Sequence, residues 1–160
     1  MDDAVRRVAL QLLADLNQEE TMLCEEIMKR DVFCVSPNDT AQSAARLMLD
    51  ENVGFLPVCE ESKKVIGAIT DRDLAIRLVA GGLPAHSKIG EIMSREVISC
   101  TPKDDVRLAE RLMARNHKSR MMCVEEGRLV GVISLSDIAQ KDRDRAAQTL
   151  AEVTAREAHA

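Results

Sequence analysis

Two short phrases in this chain pair a hydroxyl with a carboxylate at one fixed spacing: Thr70-Asp71-Arg72-Asp73 and Ser134-Leu135-Ser136-Asp137. Each follows an apolar run (Gly67-Ala68-Ile69; Gly131-Val132-Ile133), so each sits where a strand hands over to a helix. A hydroxyl beside free backbone amides at a helix N-terminus is a ready anion site, favoured by the helix dipole. A carboxylate three residues on can accept hydrogen bonds from both hydroxyls of a ribose, as the acid of dinucleotide folds does. One helix end could thus hold phosphate and sugar together. The same spacing also approximates a capping box, in which hydroxyl and acid satisfy helix-end amides with no ligand. The pattern alone leaves both readings open.

The elements that position these phrases are themselves written twice. Ile27-Met28, Val32, Pro37, Asp39, Ala44, Arg46-Leu47-Met48 and Glu60-Glu61 recur 65 residues later as Ile92-Met93, Val97, Pro102, Asp104, Ala109, Arg111-Leu112-Met113 and Glu125-Glu126. After one deletion the offset is 64, and Gly67 to Asp73 returns as Gly131 to Asp137. Two copies of one supersecondary unit bury their apolar faces against each other, because a unit of roughly 60 residues is marginal alone. Two equivalent clefts follow from the repeat. Each copy reads as a β-branched strand (Val32–Val35; Val97–Cys100), then hydroxyl, proline and acid announcing a helix start. The helix turns Ala41, Ala44, Ala45, Leu47 and Met48 inward in the first copy, and Val106, Leu108, Ala109, Leu112 and Met113 in the second. A second strand (Phe55–Cys59; Met121–Val124) turns through an acidic hairpin into a third (Val65–Ile69; Leu129–Ile133). The last helix starts at the hydroxyl–aspartate phrase. The fold class is therefore α/β: two βαββα repeats packed side by side through their sheets, with a right-handed crossover in each.

The predicted organisation is an N-terminal helical appendage over 1–23, repeat one over 24–84, repeat two over 85–140 and a C-terminal helix over 141–160. The appendage carries Val5, Val8, Leu12, Leu13 and Leu16 at helical spacing, and the last helix a thin stripe of Ala146, Leu150 and Val153.

Several functions are disfavoured by what the chain contains. A net charge of −5 and only two aromatic residues, Phe33 and Phe55, argue against nucleic-acid binding, which needs a basic surface. No run approaches a membrane span, and the first residues lack the apolar core of a signal peptide, so the expected location is the cytoplasm. There the five cysteines are expected as thiols. His86, His117 and His159 have no ligand spacing against them, so no metal site is expected. No nucleophile–base pair or glycine-rich phosphate loop appears, and the chain is not expected to be an enzyme. Cys34, in the first strand, and Cys59, at the end of the second, should be neighbours in a parallel sheet, which makes a redox bridge one alternative and two small core residues the other.

The order of elements, with Val32-x-x-Val35-x-Pro37-x-Asp39-Thr40, Leu56-Pro57-Val58 and Gly67-x-Ile69-Thr70-Asp71-Arg72-Asp73, closely resembles the cystathionine-β-synthase (CBS) domain. A tandem pair is often called a Bateman module, and the resemblance covers about residues 24–140. It implies two three-stranded sheets side by side, commonly dimerised into a disc. It also implies clefts for adenosine-containing ligands: AMP, ADP, ATP, NAD or S-adenosylmethionine. The ribose and phosphate would fall to Thr70 and Asp73, and to Ser134 and Asp137. The adenine slot would be Cys34, Val35, Phe55, Leu56 and Pro57 in copy one, and Ser99, Cys100, Met121 and Met122 in copy two. The resemblance places a phosphate-facing base at Arg120 in copy two, where copy one has Phe55. Asymmetric occupancy of the clefts is therefore expected. The family implies a regulatory homodimer signalling to a downstream protein, with the terminal helices as readout. The alternative is a ligand-independent stress or interaction protein responding through Cys34 and Cys59.

Overall fold

The computed structural model describes residues 21–155. The helix expected over 4–21 thus lies, but for Thr21, outside the described residues. Repeat one runs through α1 (Cys24–Ile27), α2 (Ala41–Asp50), β1 (Phe55–Cys59), β2 (Val65–Thr70) and α3 (Asp71–Asp73). The last passes without a break into a π-helical turn, Leu74–Val79. Repeat two runs through α4 (Ile89–Ile92), β3 (Ser99–Cys100), α5 (Val106–Asn116), β4 (Arg120–Glu125), β5 (Arg128–Ser134) and α6 (Leu135–Lys141). A closing helix, α7, spans Arg143–Thr154. The helix announced by hydroxyl, proline and acid starts at Thr40, whose hydroxyl accepts from the Ser43 amide; in repeat two Asp105 takes that place. Among the described residues no helix is long and apolar enough to cross a membrane.

The two sheets are unequal. In repeat two, β3 pairs parallel with β4, and β4 antiparallel with β5. In repeat one only β1 and β2 form a regular antiparallel pair. The strand expected over Val32–Val35 shrinks to a single parallel bridge, Val35 to Val58, held by Val35 N–H to the Pro57 carbonyl (3.0 Å) and Cys59 N–H to the Val35 carbonyl (2.9 Å). The next rung would be donated to Phe33 by the amide of residue 57, and proline has none. Met122 stands at the matching position and has one, so repeat two gains the bridge Ser99 to Met122. Even there the strand is shorter than Val97–Cys100. Two further expectations fail on burial: Ala45 is exposed on α2, and on α7 Leu150 is half exposed while Thr149 is buried.

The repeats exchange their opening segments. Cys24 donates to the Asp104 carbonyl (2.8 Å) in repeat two, and its counterpart Ile89 donates to the Asp39 carbonyl (2.9 Å) in repeat one. Lys29 forms a two-way bridge with Val132 on β5 (2.9 and 3.0 Å), and its counterpart Ser94 does so with Ala68 on β2 (2.9 Å each way). Each opening segment therefore edges the sheet of the other repeat. This close crossing explains the repeated glycine: a Cβ on Gly67 would overlap the Ser94 carbonyl oxygen, and one on Gly131 would lie 2.7 Å from Met28 Sδ.

Three apolar clusters follow from that exchange. Ile89, Ile92 and Met93 complete the core of repeat one around Leu56, Val58 and Ile69. Cys24 and Met28 complete that of repeat two around Met113, Met121, Ile133 and Ile138. Between the sheets lie Cys59, Val65, Ala68 and Met122, flanked by Phe55, Val124, Leu129 and Val132. Each fully buried Leu, Ile or Met contributes about 1.5–3 kcal/mol. The two halves are thus one cooperative body.

Candidate functional site

Both hydroxyl–aspartate phrases form capping boxes. The Asp73 amide donates to Thr70 Oγ1 (3.1 Å), while Asp73 Oδ2 accepts the Thr70 amide (2.9 Å) and the Thr70 hydroxyl (2.8 Å). Asp137 Oδ2 likewise accepts the Ser134 amide (2.8 Å) and hydroxyl (2.5 Å). The capping reading is therefore real, and it uses only one oxygen of each carboxylate. The other oxygen separates the copies. Asp73 Oδ1 lies 3.4 Å from Arg77 Nε on its own helix, and Asp73 remains partly open to solvent. Asp137 Oδ1 lies 3.2 Å from Lys29 Nζ, delivered by the exchanged segment, and Asp137 is only 6% exposed. The residue matching Lys29 in the other crossing is Ser94, too short to reach.

Where serine stands, space is left. A cavity of about 440 Å³ lies between the repeats, reaching from the Thr70–Asp73 helix start to the first residues of β4. Its apolar wall is Phe55, Ala68, Ile98 and Met122. Four cations, Arg72, Arg77, Lys118 and Arg120, outnumber three carboxylates, Asp71, Asp73 and Glu96. In a chain of net charge −5 this local excess of positive charge stands apart from the rest of the surface. Arg77 is engaged twice, with Asp73 and with the Ile92 carbonyl (2.8 Å). The side chains of Arg72, Lys118 and Arg120 make no hydrogen bond or ion pair among the described residues, so their charge is available to an anion. His117 and Ser119 complete the lining. His117 ends α5 in a left-handed conformation (φ 52°), and its Nδ1 lies 3.0 Å from the Val153 carbonyl on α7.

Of the residues singled out from sequence, this cavity gathers Thr70, Asp73, Phe55, Arg120 and Met122. Phe55 and Arg120, expected in separate slots, face one space because each opens the middle strand of its sheet next to the axis relating the repeats. Leu56, Pro57 and Met121 lie in the core, as do Val35 and Cys100. Ser99 pairs with Met122 on the sheet, and Ser134 and Asp137 lie on the side closed by Lys29. Cys34 opens instead on a smaller cavity of about 70 Å³ with Cys59, Arg30 and Lys63. Lys118, Ser94, Glu96 and Arg77 were not found from the sequence. Only the exchange of opening segments brings Ser94 and Glu96 to this cleft, and no local pattern announces it.

The remaining thiols belong to packing. Cys100 Sγ and Cys123 Sγ are 3.4 Å apart in the core of repeat two, with Cys24 beside them. Hydrogen bonding within this cluster, together with burial, pushes the Cys24 and Cys100 thiols up to about 12. Among the described residues no group of His, Cys, Asp or Glu is arranged to hold a metal ion.

Comparison with known proteins agrees with this architecture. The family model for the CBS domain matches residues 24–80 and again 89–144. The chain is similar to CBS domain-containing protein YhcV of Bacillus subtilis, at 36% identity over 137 residues, covering 84% of this chain and 97% of that one. It superimposes on a CBS domain pair of protein MJ0100 in complex with 5′-methylthioadenosine and S-adenosyl-L-methionine, with a TM-score of 0.70, 25% identity, and coverage of 78% and 98%. It also superimposes on Hypoxic Response Protein I with two coordinated zinc ions, with a TM-score of 0.70, 28% identity, and coverage of 75% and 98%. Two matches of one model, at the spacing of the internal repeat, make this chain a tandem-pair member of the CBS-domain family.

Proposed function

We propose that this CBS pair is a regulatory sensor for a phosphorylated adenosyl metabolite, such as AMP, ADP, ATP or NAD, bound in the cavity between Thr70–Asp73 and Arg120. One observation carries the reading: a partly open carboxylate, an apolar wall and three cations without a side-chain partner among the described residues share one space. The adenine packs on Phe55 and Met122, the ribose hydroxyls donate to Asp73, and the phosphates face Arg72, Lys118 and Arg120. The relative bound to S-adenosyl-L-methionine supports an adenosyl ligand in general. The local excess of cations here favours phosphate over a sulfonium cation.

Such a ligand touches both repeats, so its affinity depends on how they are set, and it shifts that setting by its differential affinity alone. His117 connects the cavity wall to the Val153 carbonyl on α7. Through it, occupancy reaches the C-terminal helix and from there a partner protein. In repeat two α7 packs over α5 and α6. In repeat one Leu49, Ile76 and Val79 on the corresponding helices stay exposed, which supports a second copy as their cover in a homodimer.

The chain has no Trp and no Tyr, so bound adenine stands out at 260 nm. Titration with AMP, ADP, ATP, NAD and S-adenosylmethionine, read by thermal shift and calorimetry, tests the reading. Arg120→Ala removes a side chain that has no hydrogen bond or ion pair among the described residues, and should weaken a phosphorylated ligand about 10- to 100-fold, the range for a lost charged hydrogen bond of ~1.5–3 kcal/mol. No response to any of the five, or equal binding by Arg120→Ala, overturns it.

A further inference from the structure

A second, smaller cavity shares no lining residue with the one beside Asp73. The segment between Lys29 and Val35 links the two halves: Lys29 is bridged to Val132 of repeat two, and Val35 to Val58 of repeat one. Cys34 lies at the end of this link and is exposed, unlike the other four cysteines, all buried. It shares the lining of one small cavity with Cys59, the last residue of β1. Both open on a cavity of about 70 Å³ that also presents Arg30 and Lys63. Burial, and then the neighbouring Cys34, push the Cys59 thiol up to about 12. An exposed thiol that shares a cavity with two cations and a second thiol is the arrangement of an attacking cysteine with a resolving partner. The matching residues in repeat two are Ser99 and Val124, so the pair exists once.

We propose that Cys34 and Cys59 form a peroxide-responsive dithiol whose oxidation to a disulfide fastens the inter-repeat link to β1. The Cys34 thiolate attacks one peroxide oxygen; the O–O bond breaks, the other oxygen takes up the proton that the Cys34 thiol had released and leaves as water, and Cys34 becomes a sulfenic acid. The Cys59 sulfur then attacks that sulfur, the S–O bond breaks, and the oxygen leaves as a second water with the Cys59 proton. Two thiols are oxidised by two electrons and one hydrogen peroxide is reduced to two waters. Arg30 and Lys63 stand at the cavity where the peroxide is attacked, and the sulfenic acid, once formed, carries no thiolate charge to oppose departure of the Cys59 proton. The bridge then ties a link anchored at one end in repeat two directly to the middle of repeat one.

The test uses the full chain, fully reduced, treated with stoichiometric hydrogen peroxide, quenched by alkylation and mapped after trypsin. The expected result is a fall from five free thiols to three and a link between the peptides 31–46 and 47–63, reversed by dithiothreitol. Cys59→Ser should leave a sulfenic acid on Cys34 that a dimedone probe captures, and Cys34→Ser should keep all of its thiols. Lys63→Gln should slow the reaction several-fold without changing its product. A link between 96–103 and 121–128, which carry Cys100 and Cys123, would overturn the proposal. A Cys34 bridge between two chains, or loss of thiols in Cys34→Ser, would do the same.

Discussion

Replacing Lys29 by serine should open the second cleft. The side chain is 67% exposed while its partner Asp137 is buried, with 3.2 Å between Nζ and Oδ1. An exposed lysine in such a pair contributes only about 1 kcal/mol, because water competes for its charge and its entropy is spent in holding one pose. Asp137 keeps its Ser134 amide and hydroxyl donors without it. The stability cost of Lys29→Ser is therefore about 1 kcal/mol, a loss of roughly 2–4 °C in a chain this size. The same 1 kcal/mol is what a ribose must now overcome to displace the lysine. Removing it strengthens the second cleft about fivefold, beyond any gain from freed space.

Calorimetric titration with AMP reads this directly. The unaltered protein should bind one equivalent per chain, in the cavity beside Asp73, and Lys29→Ser should bind towards two. The reciprocal change, Ser94→Lys, places an ammonium group against Asp73 and should reduce binding in the first cleft at least 10-fold, as when one charged hydrogen bond is lost. Two equivalents bound by the unaltered chain would refute the reasoning. So would a Lys29→Ser stoichiometry that stays at one while Ser94→Lys binds normally.

Three other perturbations read other parts of the structure. Gly67→Ala drives a methyl into the Ser94 carbonyl at the crossing of the opening segment over β2, and overpacking of this kind costs about 1–3 kcal/mol; an unchanged urea midpoint refutes the crossing. Burial raises the Glu110 carboxyl above its ordinary 4.5, outweighing the Arg145 charge and the Thr149 hydroxyl. The folded chain thus holds that proton more tightly than the unfolded chain, so its stabilising share is full below 4.5 and is lost as pH rises through the raised value. Glu110→Gln should lack this loss, and parallel stability profiles of the two proteins from pH 4 to pH 7 would contradict it. His117→Gly keeps the left-handed helix end and removes the ring that meets Val153, so amide exchange in α7 should speed up and cease to respond to ligand. Exchange in α7 that still slows with AMP would show that the signal runs elsewhere.

The repeat made the architecture legible, because a constant offset carries element order and burial together. The hydroxyl–aspartate phrases were legible as helix starts and ambiguous as ligand sites, because one carboxylate oxygen caps the helix while the other meets a cation that the phrase itself does not contain. What the sequence hid was long-range. Nothing local in Cys24–Lys29 or Ile89–Ser94 says that each segment docks on the other repeat. Without that, Lys29 cannot be assigned to Asp137, nor Ser94 to the cleft of Asp73. The missing strand at Val32–Cys34 was legible in principle. Pro57 lies in the middle strand, and a proline there removes a specific rung.

The same backbone symmetry therefore carries two chemically different clefts, and single side chains set the difference. At the crossing the choice is Lys29 or Ser94, and at the head of the middle strand it is Phe55 or Arg120. Both pairs act in the same direction for the cavity beside Asp73. Ser94 leaves Asp73 uncovered by the crossing segment, and in the proposed reading Arg120 comes from the other repeat as the anion partner that Phe55 cannot be. A ligand proposed for that cavity touches both repeats, whereas Asp137 is buried and met by the lysine of the exchanged segment. An equilibrium between two settings of the repeats responds only to a ligand whose contacts span them. On that ground we propose the open cleft, and not the closed one, as the place from which this pair is switched.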